Sequence, residues 1–500
     1  MHSILRFSSG GFPWGLAVVV CAGLVMSTPS EVSAQGPEDR FVGDWQGTLN
    51  AGGQELPLVF HIVSTDAGLT ATMDSPAQAA FGIGVDAVEI RGDSLTLTIR
   101  PIQGRYDGVL QEDGTITGTW SQGPASLPLN LAPAEEGGAG AAAPAVPDPS
   151  TRPQTPRAPF PYDVEDVTFP QLTEDFDLAG TLTVPRGRGP VPGVVLVSGS
   201  GPQDRDETLL GHKPFAVLAD HLTRAGIAVL RYDDRGVGSS GGEFASATSV
   251  EFAGDAESAV AWLRERPEVA ADRVGIVGHS EGGLIAPMVA SRSDAVAFVV
   301  LLAGPGMTGE EIILDQSRRI AEADGADPAL VERGLKVNRR LFEVIRTEAD
   351  PQERRDRAQA ILEEALDSMT PEERQMQGIT EETSEAWVNT QLAQLTSPWF
   401  SYFLTYDPVP ALEATRVPVL ALNGELDLQV PYQANLSAIR AALERGGNED
   451  FTVESFPGLN HLFQRAETGA PSEYAGIEET MTPAVMDRTA AWILERFGPR

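Results

Sequence analysis

Nothing restricts the fold of this chain more than the run Val274-Gly275-Ile276-Val277-Gly278-His279-Ser280-Glu281-Gly282-Gly283. An apolar strand meets a Gly-x-Ser-x-Gly turn, and a helix rich in Ala, Leu, Ile and Met follows from Leu284 to Ala290. Glycines on both sides let the backbone turn tightly enough to stand the serine hydroxyl at the sheet's edge, over the start of the helix. A serine presented this way needs a base, an acid to orient the base, and donors for a developing oxyanion. The chain holds candidates for all three.

The base follows from the six histidines. His2 belongs to the N-terminal segment and His61 to a β-rich region, while His212 and His221 precede the serine. His279 adjoins Ser280, so its side chain diverges from the nucleophile's. Only His461 lies beyond the serine, in Phe456-Pro457-Gly458-Leu459-Asn460-His461-Leu462-Phe463, just after the last strand. The acid is expected in Leu422-Asn423-Gly424-Glu425-Leu426-Asp427-Leu428-Gln429-Val430-Pro431, where Asp427 is the choice and Glu425 the rival. The acid fixes the imidazole tautomer and stabilises the imidazolium. The order Ser, Asp, His differs from that of chymotrypsin and of subtilisin.

For the oxyanion, the amide of Glu281 follows from the turn itself. The second donor is expected in Ser198-Gly199-Ser200-Gly201-Pro202-Gln203. Proline has no N–H, which leaves Ser200 or Gly201, with Ser200 preferred. Gln203, Asp204 and Arg205 either shape the site or brace the loop. A second match, Gly238-Ser239-Ser240-Gly241-Gly242, sits in a glycine-rich loop with no helix starting at its serine, so Ser240 is read as structural.

Five hundred residues exceed what one core usually serves. The apolar run Trp14 to Met26, with Arg6 before it and Val32-Ser33-Ala34 after it, reads as a signal peptide over residues 1–34; a retained anchor is the alternative. The sole cysteine, Cys21, falls inside it, and Val20 before it argues against lipidation. The exported chain then has no thiol, which excludes disulfides and zinc–thiolate sites. With no His-x-x-x-His pattern either, no metal and no cofactor are expected. A net charge of −35 argues against nucleic acid and anionic membranes as partners. Lysine occurs only at 213 and 336, which fits adaptation to salt or a GC-rich genome equally.

Residues 35–131 are short alternating runs with Gly52-Gly53 and Asp113-Gly114 between them, a small antiparallel barrel or sandwich with Trp45 and Trp120 as core plugs rather than a polymer-binding platform. Residues 132–160 are an Ala/Gly/Pro-rich linker. From Tyr162 strands alternate with amphipathic helices, the mark of a mostly parallel sheet. Strands are expected at 178–184, 193–198, 227–232, 274–277, 297–302, 417–422 and 451–455, with helices at 214–225 and 250–264. From Gly309 to about Thr396 no strand is readable. Asp327-Pro328, Asp350-Pro351 and Thr370-Pro371 each place a capping side chain before a proline, and Thr370 with Glu373 fits a capping box.

The region from about Pro161 to Phe497 resembles the α/β-hydrolases, and within them the secreted bacterial esterases of the EstD type. The resemblance rests on Val197 to Asp206, Tyr232 to Gly238, Gly278 to Gly283, Leu422 to Pro431 and Pro457 to Phe463. It implies an α/β-hydrolase core in two parts, 161–306 and 401–500, with a helical cap at 307–400 between strands 6 and 7 and a small β-domain ahead. It implies hydrolysis of small-molecule carboxylic esters, with Ser280, Asp427 and His461 as triad and no cofactor. Glu281 occupies the variable position of the turn, so little is expected of its side chain. The aromatic run Trp399 to Tyr406 either lines an acyl pocket or packs the cap on the sheet. Two alternatives stand: a peptidase resembling the serine aminopeptidases, whose acidic cap holds a substrate ammonium, and an inactive surface protein whose β-domain binds a polymer.

Overall fold

The computed structural model describes residues 39–498, apart from 52–53, 66–67, 76–79, 86, 100–103, 112, 123–124, 134–151, 188, 377–378 and 381–382. The stretch expected to be a signal peptide, Cys21 within it, and most of the expected linker fall outside the described residues. Among the described residues no helix is long and apolar enough to cross a membrane.

Nine strands form the first sheet: β1 (Gly43–Ala51), β2 (Gln54–Thr65), β3 (Gly68–Ser75), β4 (Ala80–Val85), β5 (Ala87–Arg91), β6 (Ser94–Ile99), β7 (Gly104–Leu110), β8 (Ile116–Gln122) and β9 (Ala125–Pro133). Their order is β4-β3-β2-β1-β9-β8-β7-β6-β5, every neighbour antiparallel. The two ends approach each other, β3 against β5 and β4 against β6, so the sheet is nearly a barrel. Alternation explains the curl. In β6, Leu95, Leu97 and Ile99 point inward while Ser94, Thr96 and Thr98 face away. Trp45 and Trp120 are core residues, as expected: Trp45 donates its indole N–H to the Phe41 carbonyl at 2.8 Å, and Trp120 lies 6.3 Å from the Phe60 ring. Asp113 turns the chain between β7 and β8 by accepting from the Thr115 amide, with Gly114 at φ +82°.

The second sheet has eight strands: β10 (Tyr162–Pro170), β11 (Asp177–Pro185), β12 (Val191–Val197), β13 (Ala228–Tyr232), β14 (Val269–His279), β15 (Val299–Leu302), β16 (Val419–Gly424) and β17 (Phe451–Phe456). The order β10-β11-β13-β12-β14-β15-β16-β17, parallel from β13 to β17, is that of the α/β-hydrolase fold. Strand β10 was not legible in the sequence. It is an edge strand whose burial alternates only in its second half, where Val167 and Phe169 enter the core, too short a run to set a period. Helices α1 (Pro214–Ala225) and α12 (Pro483–Phe497) cover one face. The other carries α2 (Ser249–Arg264), α3 (Glu281–Ala290) and α11 (Tyr432–Gly446).

Between β15 and β16 the chain is wholly helical where described: α4 (Gly309–Ala323), α5 (Pro328–Thr347), α6 (Pro351–Asp367), α7 (Pro371–Met376), α8 (Ser384–Leu395), α9 (Pro398–Thr405) and α10 (Val409–Ala414). The caps read from sequence are present. Asp327 accepts from the Ala329 amide at 2.7 Å, Asp350 from Gln352 and Glu353, and Thr370 and Glu373 bond each other's amides. Leu341, Phe342 and Ile345 of α5 join Phe400 and Phe403 of α9 in one core with the sheet. Helix α9 straddles residue 400, the expected end of the cap, because its aromatic face needs that core on both sides.

The stretch 152–160, expected to be linker, is instead anchored from its first residue. Arg152 is 1% exposed and donates to the carbonyls of Leu210, Ala475 and Ile477, and Gln154 bonds both Thr480 and Met481. Composition could not show this, since the anchor is two side chains in a short run that is one-third proline.

Arg235 and Asp255 form a buried bidentate pair at 2.7 Å and 2.7 Å, with Glu174 on the remaining guanidinium nitrogen. Arg235→Ala strands a buried carboxylate and is expected to lower unfolding free energy by about 3–5 kcal/mol, read from urea denaturation.

Candidate active site

Strand β14 ends at His279, and Ser280 then takes φ 52° and ψ −117°, a conformation that costs a non-glycine residue energy unless its surroundings hold it. Its amide is fixed to the Leu302 carbonyl at 2.9 Å. The flanking glycines are there for closeness. A Cβ on Gly278 would sit 2.0 Å from the Gly282 carbonyl oxygen, and one on Gly282 would sit 2.0 Å from that of Val197. Ser280 is half-buried, at the C-terminal edge of the sheet.

His461 and Asp427 come from the neighbouring loops at the same edge. The Asp427 side chain is fully buried, one oxygen accepting the amides of Gln429 and Val430 at 2.8 Å and 2.8 Å, the other 2.9 Å from His461 Nδ1. With that carboxylate on Nδ1, the tautomer carrying Nδ1–H leaves Nε2 free to accept a proton. Glu425, the rival, is exposed and bonded by Ser455 at 2.8 Å. Its two-residue offset from Asp427 turns it away from the ring.

Other histidines are committed elsewhere. His61 meets Asp44 and His221 meets Asp487. His212 is wholly buried between the Thr480 hydroxyl and the Tyr474 carbonyl, and burial pushes its pKa down to about 4. His279 bonds Glu207 and the His461 carbonyl. Ser240 is structural as well: its hydroxyl donates to the Asp233 carbonyl at 2.7 Å and accepts the Ala179 amide at 2.9 Å.

Loop 198–210 is braced from below. Arg205 grips Asp233 with Nε at 3.0 Å and Nη2 at 2.7 Å, and Asp234 accepts from the Ser198 hydroxyl and the Gln203 amide. Complete burial, with Asp255 and Glu281 nearby, raises the Asp234 pKa well above the carboxylate range. Asp204 accepts the Asp206 and Thr208 amides, so these residues brace the loop. The bracing also consumes amides. Gly199 N–H goes to Glu207 at 2.7 Å and Gln203 N–H to Asp234 at 2.9 Å. With Pro202 lacking an N–H, Ser200 and Gly201 are the amides left between them. The Glu281 amide opens α3, where N–H groups have no intrahelical acceptor.

The Glu281 side chain, expected to be uninformative, is a junction. It is 2% exposed and accepts from the Ser249 hydroxyl at 2.5 Å and from the Trp399 indole at 2.9 Å and 3.0 Å. Burial raises its pKa against hydrogen bonds from Ser249, Trp399 and Ser200. One carboxyl therefore ties cap helix α9 to the turn that carries Ser280. Sequence offered no signal beyond an acidic residue in an otherwise apolar helix start. Most of the aromatic run packs: Phe400 lies 5.9 Å from Phe342, and Phe403 stacks on Trp399 at 5.2 Å.

Comparison with known proteins places this geometry. The family model for serine aminopeptidases, S33, matches residues 213–467, just over half of the chain. The chain belongs to that family. It is an S33 serine hydrolase with the α/β-hydrolase fold. It is similar to Esterase EstD of Thermotoga maritima, 29% identical over 340 residues, covering 67% of this chain and 71% of the relative. Among solved structures it resembles the α/β hydrolase GrgF of Penicillium sp. sh18, at 18% identity and a TM-score of 0.41, covering 67% of this chain and 100% of that one. The proline iminopeptidase of Mycobacterium smegmatis matches at 15% identity and a TM-score of 0.40, over 66% of this chain and 98% of that one.

His212 yields a pH prediction for this S33 hydrolase. Its folded pKa of about 4 lies below the unfolded 6.5, so the stability it confers is complete above pH 6.5 and is lost as pH falls towards 4. His212→Gln is expected to remove roughly 2 kcal/mol of pH-dependent stability between pH 7 and 5, measured as the urea midpoint of variant and wild type across that range.

Proposed function

We propose that this protein is an exported serine carboxylesterase acting on small or short-chain esters through an acyl-enzyme on Ser280. The observation that carries the reading is a continuous tie: His279, the residue before Ser280, bonds the carbonyl of His461 at 3.1 Å, and the His461 ring is held by Asp427 at 2.9 Å. Nucleophile loop and base loop are thus one hydrogen-bonded unit.

In this mechanism Ser280 Oγ attacks the ester carbonyl while His461 Nε2 takes its proton. Asp427 keeps the ring in the Nδ1–H tautomer and stabilises the imidazolium. The amides of Glu281 and Ser200 receive the oxyanion, and preorganised donors of this kind are worth about 10²–10³ in kcat each. His461 passes the proton to the departing alcohol, then repeats the cycle for water. The likeness to Esterase EstD supports esters over peptides. Export rests on the N-terminal segment, where a short apolar run precedes Val32-Ser33-Ala34. The partner is a small-molecule ester.

Ser280→Ala is expected to lose roughly 10⁴-fold or more in kcat on p-nitrophenyl acetate, and Asp427→Asn about 10⁴-fold. Glu425→Gln should stay within about twofold, the small effect of an exposed side chain. Faster turnover of an aminoacyl p-nitroanilide than of p-nitrophenyl acetate would make the protein a peptidase. Removing residues 35–151, which spares the Arg152 anchor, is expected to change the range of esters taken in a panel assay and to leave acetate turnover in place.

A further inference from the structure

Behind the triad lies a second histidine–carboxylate pair. His279 is 5% exposed, and so is Glu207. His279 Nδ1 is 2.8 Å from Glu207 Oε1, and its Nε2 is 3.1 Å from the main-chain carbonyl of His461. A carbonyl cannot donate, so His279 Nε2 carries a proton; Glu207 Oε1 also takes the Gly199 amide at 2.7 Å. With Glu207 as a carboxylate, Nδ1 carries a proton as well and His279 is an imidazolium. Burial opposes that charge and Glu207 restores it, with a net rise in the His279 pKa. The ring centroids of His279 and His461 are 4.9 Å apart. Glu207 itself is held at φ 52°, in the left-handed region, with its amide on the Asp204 carbonyl at 2.9 Å.

We propose that Glu207 and His279 are positioning residues for the reaction: the His279 imidazolium grips the His461 backbone, and Glu207 couples that grip to Gly199 at the entrance of the oxyanion loop. Asp427 fixes the ring of the base and His279 fixes its main chain, so the imidazole is located at both ends. The same carboxylate sets the Gly199 turn, whose Cα lies so close to Ser280 that a Cβ there would come within 3.2 Å of the serine's Cβ. A displacement of the base by about 1 Å is enough to cost on the order of 10²-fold. The inference rests on the esterase reading for its kinetic part only.

Two substitutions separate grip from coupling. Glutamine places its amide nitrogen near the position of imidazole Nε2, and asparagine near Nδ1. His279→Asn keeps the Glu207 contact and drops the His461 carbonyl, and is expected to lower kcat on p-nitrophenyl acetate about 30–100-fold with KM within about threefold. His279→Gln keeps the carbonyl and is expected to recover about tenfold of that loss. Equal kcat in the two variants, or a loss confined to KM, overturns the proposal. A second measurement is independent of turnover: ¹⁵N spectra of histidine-labelled protein at pH 8 are expected to show one ring protonated on both nitrogens, lost in Glu207→Ala. The titratable groups facing that ring are Glu207, Asp427 and His461. A spectrum with no such ring at pH 8 refutes the ion pair. Wild type that cleaves no ester sinks the functional reading, while the spectrum still decides the pair.

Discussion

The backbone at Ser280 is the constraint from which the rest follows. Holding a side-chain-bearing residue at φ 52° requires a turn so closed that β12, β14 and α3 touch through main-chain atoms. Gly278, Gly282 and Gly283 make that contact possible, since each would place a Cβ within 2.6 Å of opposing backbone. The strain is held by packing: Val277, Ile276 and Val274 are fully buried between two layers of helices, and the Ser280 amide is pinned to β15. A rigid sheet edge thereby presents a hydroxyl and the first amides of a helix to one point in space.

Polar chemistry beneath the site is dense and almost all of it is paired. Asp233 and Asp234 hold the loop that precedes α1 through Arg205, Ser198 and Gln203, and the adjoining Arg235 pairs with Asp255 of α2. Burying so many charges has a large desolvation cost, and a pair of this kind contributes geometry more than net stability. Here the geometry is a loop whose free amides are reduced to a small set. Bracing thus occupies the Gly199 and Gln203 amides and leaves those of Ser200 and Gly201 between them.

Cap and core meet through the same economy of groups. Trp399 reaches from α9 to the Glu281 carboxyl, and Ser249 reaches it from α2. The helix start that carries the expected oxyanion donor is therefore sensitive to where the cap sits. Phe400 fixes α9 against Phe342 of α5, and both join the core that includes the sheet, so the cap is a packed layer of the hydrolase.

Local rules determined a great deal of this protein. Period and turn residues announced the two β and α/β halves, proline after a capping side chain located three cap helices, and the Gly-x-Ser-x-Gly run fixed the elbow. The order of Ser280, Asp427 and His461 along the chain was legible because each follows a readable strand, and loops after adjacent parallel strands must converge at one edge. Tertiary structure alone decided the rest. Edge strand β10 alternates over only its last four residues, Arg152 anchors a segment of linker-like composition, and the roles of Glu281, Glu207 and His279 depend on partners up to 182 residues away. Spacing along the chain carries information about neighbours one turn or one strand apart. A buried carboxylate that joins three loops leaves no periodic trace, because what defines it is the absence of water and the direction of donors arriving from elsewhere in the fold.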